Sequence, residues 1–280
     1  MRQSRRIEIA KDTLEILEKG FYNNSQGEKV DLTLIQKNAV DNTQLFKPEA
    51  LETLLNNTKK ENSFQTQYEV TNETTCDAAR RLVSEGVHDV MALNFASAKN
   101  PGGGFLGGAL AQEECIARAS GLYPSLLTAM EGYYTYHRKL DTGLYSDTMI
   151  YSPAVPIIKD EDGQTLNEPV CVTIITSPAV NAGVIMRDED GKADKIIAVM
   201  RVRIEKLLAL CLNKQHTTLV LGAWGCGVFR NNPADISQLF LEALTGKFAN
   251  QFQRVVFAVK TNKEEMIEPF RRRFNWQPKE

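Results

Sequence analysis

The stretch Val90-Met91-Ala92-Leu93-Asn94-Phe95-Ala96 is apolar at every position but one. A run this short and this hydrophobic suits a strand covered on both faces, as in a sheet sandwiched between helices. Runs of the same kind lie at 149–155, 170–176, 218–221 and 254–259, and residues 66–71 alternate as a strand does. Val30-Asp31-Leu32 reads as a further short strand. Helical stretches are expected at 4–19, 48–58, 74–85, 109–119, 122–138, 192–213, 234–247 and 263–273. In the first of these Ile7, Ala10, Leu14 and Leu17 share a face and Gly20 follows as a stop, while Pro48 suits the first turn of the second. Strands that alternate with helices predict an α/β sandwich with a mixed sheet. The polar stretch 159–168 is expected as a surface hairpin or loop, and no repeat or low-complexity linker divides the chain. One domain is expected over residues 1–280, with residues 1–65 as an N-terminal helical extension.

Composition narrows the class of function. The 280 residues carry a formal net charge of −2, so no global field draws the chain to nucleic acid or anionic membranes. Arg271-Arg272-Arg273 is the densest basic cluster and reads as a solvated helix face. No apolar run approaches the roughly 18 residues of a membrane span, and the polar start Met1-Arg2-Gln3-Ser4 lacks the core of a signal peptide. A cytoplasmic monomer is expected. The five cysteines, Cys76, Cys115, Cys171, Cys211 and Cys226, are scattered and unpaired in sequence, which disfavours a disulfide framework or zinc site. Cys171 and Cys211 sit in apolar runs and are expected in the core. His88, His137 and His216 have no metal-ligand spacing, and nothing local marks a Ser–His or Cys–His dyad. No metal and no cofactor are expected.

The chemistry concentrates where apolar runs end. Asn100-Pro101-Gly102-Gly103-Gly104 follows one such run and precedes a helix. Three glycines permit backbone conformations closed to other residues and let a ligand approach the main chain. The segment does not match the glycine patterns of ATP- or NAD-binding loops. Gln112-Glu113-Glu114 opens the next helix, where acids complement the positive end of the dipole. Adjacent helical residues project about 100° apart, so Glu113 and Glu114 cannot share one task. One can hold substrate while the other transfers a proton, and burial or a neighbouring charge would raise the donor's pKa. Gly222-Ala223-Trp224-Gly225-Cys226-Gly227-Val228-Phe229 follows another apolar run; its glycines suit a loop wrapped around phosphate, and Phe229 can stack on a base. Thr176-Ser177-Pro178-Ala179-Val180-Asn181-Ala182-Gly183 is a fourth strand-end loop. In open α/β sheets such ends build ligand clefts.

Together these segments resemble the microbial type of poly(ADP-ribose) glycohydrolase, a macrodomain-fold family whose signature is GGG, six to eight residues, then QEE. The spacer here, 105–111, is seven residues. The context Asn94 to Asn100, the segment GAWGCGVF at 222–229, and the first helix with Ala10, Thr13-Leu14 and Gly20-Phe21-Tyr22 strengthen the resemblance. It implies a macrodomain-like three-layer α/β/α sandwich. It also implies Glu114 as general acid and Glu113 as the group binding the ribose beside the scissile bond. Gly102, Gly103 and Gly104, next to Gln112, would shape the diphosphate and distal-ribose site. Gly225, Cys226, Gly227 and Val228 would form the second phosphate loop, with Phe229 stacked on adenine or ribose. Asn100 and Asn181 would make polar contacts. The implied reaction is metal-independent hydrolysis of ribose–ribose bonds in poly(ADP-ribose), releasing ADP-ribose, with polymer or ADP-ribosylated macromolecules as partners. Two other activities fit the same segments: removal of single ADP-ribose units from protein or nucleic acid, and binding of ADP-ribose without cleavage. A reader, however, has no need of a buried acid.

Overall fold

Helix α1 (Gln3–Lys19) ends where the N–H of Gly20 closes on Ile16 O, and a hairpin of β1 (Phe21–Asn23) and β2 (Lys29–Asp31) follows. The computed structural model describes residues 1–60 and 62–274. Next come α2 (Thr33–Asp41), β3 (Gln44–Phe46), α3 (Pro48–Asn57), β4 (Gln67–Thr71), α4 (Thr75–Ser84) and β5 (Val90–Phe95). Thr74 caps α4 by accepting the N–H of Asp77. Beyond β5 lie a short 3₁₀ turn at Phe105–Gly107, α5 (Gln112–Ala119), α6 (Leu122–Leu127), a π-helical stretch at Met130–Thr135 and α7 (Tyr136–Lys139). The chain is completed by β6 (Met149–Lys159), β7 (Thr165–Ser177), α8 (Ala182–Asp188), α9 (Lys195–Asn213), β8 (Thr218–Leu221), α10 (Pro233–Thr245), β9 (Arg254–Ala258) and α11 (Glu264–Phe274).

Seven of these strands form one mixed sheet in the order β3-β6-β7-β5-β8-β9-β4. Strand β6 is antiparallel to β3 and β7, and the contacts from β7 to β4 are all parallel. Strand β5 lies at the centre and is buried along nearly its whole length, as its uniform hydrophobicity requires. The pleat divides its side chains. Met91 and Leu93 join Leu219, Leu221, Val255 and Phe257 under α3, α9, α10 and α11. Val90 and Ala92 join Val172, Ile174, Val220 and Val256 under α4, α5 and α6. The result is the expected three-layer α/β/α sandwich.

Several elements differ from the sequence reading. Strands β1 and β3, with three residues each, and helices α2 and α8 carry no legible periodicity. Residues 1–65, expected as a helical extension, also contain β3, which pairs with β6 at the edge of the main sheet. The single helix expected at 122–138 is divided by the π-helical stretch. Helix α5 starts at Gln112 rather than near Ala109, because the 3₁₀ turn and Gly108 occupy the preceding residues. Strands β6 and β7 extend into the polar stretch 159–168, which forms the tip of their hairpin. Cys211 is buried, but Cys171 is exposed, contrary to the core position expected for it. It lies on the outer half of β7, where burial lapses before the strand enters the sandwich. The arginines of α11 pair with Glu264, Glu268 and Gln238 along an outer helix face. Among the described residues, no helix is long and apolar enough to cross a membrane.

One buried cation braces the loops around the sheet's C-terminal edge. Arg203 of α9 donates to Asp147 Oδ1, Pro178 O and Leu144 O, each at 2.9 Å. Removing it leaves Asp147 half-paired and two carbonyls without their donor. Arg203→Ala is expected to cost about 3–5 kcal/mol in urea unfolding. A loss under about 1 kcal/mol would show that the brace is dispensable.

Candidate active site

The C-terminal ends of β5, β7 and β8 converge on one cleft of about 870 Å³. On one side Asn100, Gly103 and Gly104 face Gln112, Glu113 and Glu114; on the other stand Gly225, Gly227, Val228 and Phe229. Gly102, Cys226 and Asn181 lie outside this lining.

Gln112 fixes the start of α5. Its Oε1 accepts the N–H of Phe95 at 2.8 Å, and its Nε2 donates to Leu93 O at 2.7 Å and Thr75 Oγ1 at 2.9 Å. Both amide hydrogens are thereby spent inside the protein. Gln112, expected among the substrate-binding residues, lines the cleft and is at the same time a staple between β5, α4 and α5.

That staple sets the two acids. Glu113 is 3% exposed. Its Oε2 accepts the N–H of Ser97 at 2.6 Å and its Oε1 accepts Asn94 Nδ2 at 3.3 Å. Burial, aided by the charge of Glu114, pushes its carboxyl up to about 8 against the pull of those hydrogen bonds. Glu114 is half-buried in the cleft, and its Oε1 accepts the N–H of Gly104 at 3.0 Å. The low-dielectric surroundings thus belong to Glu113, whereas the carboxyl open to a ligand is that of Glu114.

Gly103 makes this pair possible. It has φ of 59°, and a Cβ there would lie 2.9 Å from Glu114 Cδ and 3.2 Å from Glu113 Oε2. Any side chain would occupy the space where the acids converge. Gly102 turns the chain beneath, against Phe105 and Ala117.

The second loop is anchored by Trp224, which is fully buried and donates to Ser177 O at 3.3 Å. Cys226 is buried under the loop with its thiol toward Trp224 O. Val228 is exposed at the lip. Phe229 is half-buried with Tyr145 6.0 Å away, ring centre to ring centre, and its carbonyl accepts the N–H of Gly183 at 3.0 Å. Asn181 caps α8 through the N–H of Val184 and donates its own N–H to Gly143 O. It therefore shapes the backing of Phe229.

Sequence reasoning assigned no role to Asn94, Ser97 or Tyr145. Asn94 had a signal, being the one polar residue in an apolar strand; buried polar groups need partners. Tyr145 carries a positive φ of 55°, which no local pattern announces. His137 does meet a serine, Ser146 Oγ at 2.8 Å from Nε2, but burial pushes the imidazole down to about 4 and neither residue lines the cleft. Among the described residues, no three His, Cys, Asp or Glu side chains are grouped to hold a metal ion.

The family model for the microbial-type poly(ADP-ribose) glycohydrolase (PARG) catalytic domain matches residues 10–160. Among solved structures, the chain is similar to poly(ADP-ribose) glycohydrolase from Thermomonospora curvata bound to the inhibitor ADP-HPD. The two share 45% identity with a TM-score of 0.89, over 98% of this chain and 100% of that one. A second structure of the Thermomonospora curvata enzyme aligns at 45% identity and TM-score 0.91, over 98% of this chain and 100% of that one. Poly(ADP-ribose) glycohydrolase from Deinococcus radiodurans in complex with ADP-ribose is 47% identical, with TM-score 0.82 over 85% of this chain and 96% of that one. Comparison with curated protein sequences gives no match.

The raised carboxyl of Glu113 has a measurable consequence. Below its ordinary value of 4.5 the group is protonated whether the chain is folded or not. Between 4.5 and about 8 the unfolded chain releases a proton that the folded one keeps, so stability falls as pH rises through this window. Glu113→Gln removes that loss. The variant's Tm relative to the unaltered protein is expected to climb from about pH 5 to about pH 9. A difference independent of pH would contradict the buried, proton-holding carboxyl.

Proposed function

The chain belongs to the microbial-type poly(ADP-ribose) glycohydrolases, and from that membership and the cleft we propose that it hydrolyses the ribose–ribose O-glycosidic bonds of poly(ADP-ribose), releasing ADP-ribose. The observation that carries the reading is the pair of acids in unlike surroundings beside a glycine turn, Glu113 buried and Glu114 open to the cleft. A protein that only held the anionic ADP-ribose would gain nothing from Glu114, a second carboxyl open to the cleft that receives the ligand.

The division of labour follows from access. Glu114 can meet a leaving oxygen, and the N–H of Gly104 orients its carboxyl. It donates a proton to the departing ribose oxygen as the glycosidic bond breaks, leaving an oxocarbenium-like sugar. The resulting carboxylate then takes a proton from the attacking water, which completes hydrolysis and restores the acid. Glu113, fixed by Asn94 and Ser97, holds the ribose whose bond is cut. Because burial keeps it protonated near neutral pH, Glu113 adds no negative charge to the cleft as the anionic diphosphate enters. Gly103 and Gly104 flank that diphosphate on one side and Gly225 and Gly227 on the other, the two turns supported from beneath by Gly102 and Cys226 respectively, with Asn100 and Val228 at the lips and Phe229 against adenine or ribose. Asn181 contributes by backing Phe229. These steps use carboxyls and amides alone.

We assign the whole chain to one catalytic unit, since α1, β3 and α3 pack on the same sandwich. The acids and both glycine loops lie on one chain, so the proposed site needs no residue from a second copy. The five free cysteines fit the reducing cytoplasm.

Glu114→Gln is expected to slow release of ADP-ribose from polymer by about 10²–10⁴-fold. Its affinity for ADP-ribose, measured by calorimetry, should stay close to that of the unaltered protein. Near-normal turnover would remove Glu114 from the reaction. Tight ADP-ribose binding by the unaltered protein without polymer hydrolysis would make the chain a reader, and release only from singly modified targets would make it a mono-ADP-ribosyl hydrolase.

A further inference from the structure

Three successive carbonyls between the glycine turn and α5 are each held by a side chain. Gly107 O accepts Gln3 Nε2 at 2.8 Å, Gly108 O accepts Arg6 Nε at 2.6 Å and Ala109 O accepts Arg118 Nη1 at 2.7 Å. Two of the three donors stand on the first turns of α1. The helix rests directly on this segment: Gly108 has φ of 72°, and a Cβ there would lie 2.8 Å from Gln3 O and 3.0 Å from Ile7 Cγ1. Farther along, Thr13 Oγ1 donates to Arg118 O at 2.6 Å, so α1 also grips the far end of α5.

Besides the chain itself, hydrogen bonds to Gly104 connect the held segment to the reacting carboxyl. The N–H groups of Gly107 and Ala109 donate to Gly104 O at 3.0 and 3.2 Å. The N–H of Gly104 in turn donates to Glu114 Oε1 at 3.0 Å. A path therefore runs from α1 to the Gly107 and Gly108 carbonyls, across the backbone of Gly104 from its carbonyl to its N–H, to Glu114. The middle of this path is short and glycine-rich, with little stiffness of its own. A charged donor such as Arg6 makes a stronger bond to a carbonyl than a neutral one, and it fixes the segment in one register.

We propose that Arg6, assisted by Gln3, is a positioning residue for catalysis: helix α1 acts as a splint that holds the Gly104 peptide, and through it the Glu114 carboxyl, in the geometry for proton transfer. Neither side chain touches the reacting atoms in this account. The proposal rests on the assignment of Glu114 as proton donor made above.

The test uses the full chain with Arg6→Ala, Gln3→Ala, the double variant, Arg6→Lys, and Arg5→Ala as control. Arg5 lies on the same turn but pairs with the exposed Glu8. Misplacement of a catalytic group by a fraction of an ångström to about 1 Å is expected to lower kcat of the double variant on polymer by about 10- to 100-fold. KM and ADP-ribose affinity should stay within about threefold, Arg6→Lys should recover part of the loss by restoring one charged donor, and Arg5→Ala should match the unaltered protein. Hydrogen exchange should quicken in residues 104–112 and remain slow in β5 and β8. Unchanged kcat, or a loss that follows Tm or ADP-ribose affinity and is not relieved in Arg6→Lys, would overturn the splint. If the unaltered protein does not cleave polymer, the functional reading fails instead; unaltered exchange in residues 104–112 of the double variant would then sink the splint independently.

Discussion

The Glu113 carboxyl sits where a buried strand meets a helix, out of water and next to a second acid. An arrangement of this kind is unfavourable unless the surroundings over-determine it. The N–H of Ser97 and the amide of Asn94 supply its hydrogen bonds. Gln112 pins the helix that carries it to the strand beside it. Gly103 leaves the space into which both acids point. Each of these is local, yet none would hold without the sheet behind it. Strand β5 is locked by parallel neighbours on both sides, so its end cannot shift to relieve the acid.

The topology explains why one cleft collects all the chemistry. Strands β5, β7 and β8 are adjacent and parallel, so the loops that follow them emerge at the same edge. One loop brings the glycine turn and the acids, one brings Trp224 to Phe229, and one brings Asn181 and α8 to support Phe229 from behind. Arg203 ties two of the surrounding segments to α9 by buried, charged hydrogen bonds. The site is thus rigid at its back and open at its front, which suits an enzyme that must orient a sugar between a proton donor and a fixed diphosphate.

Much of this was legible in the sequence, for identifiable reasons. Parallel strands covered on both faces read as uniform apolar runs, and β5, β8 and β9 lie where those runs lie. The spacing of GGG and QEE pointed to the cleft, and helical geometry predicted unlike settings for Glu113 and Glu114. Other features depend on partners far along the chain. Gln112 reads as one of three signature residues, but its role as a staple comes from Thr75, Leu93 and Phe95, which no local window reveals. Which acid is buried was hidden as well, because the 3₁₀ turn and Gly108 decide where α5 starts and hence which way each residue faces. Strand β3 carries too few residues for a pattern and exists because β6 offers it an edge. Cys171 looked like a core residue because its run is apolar, but burial along β7 begins only at Val172, where the hairpin enters the sandwich.

The central claim is that one acid of the pair keeps its proton near neutral pH while the other meets the substrate. Titrating the δ-carboxyl carbon of Glu113 by NMR, in protein labelled at glutamate and assigned with Glu113→Gln, addresses it without reference to turnover. The account predicts a resonance that moves with a midpoint near 8. A midpoint near the ordinary carboxyl value of 4.5 would mean that Glu113 is ionised at neutral pH, and the division of labour drawn from its burial would be wrong.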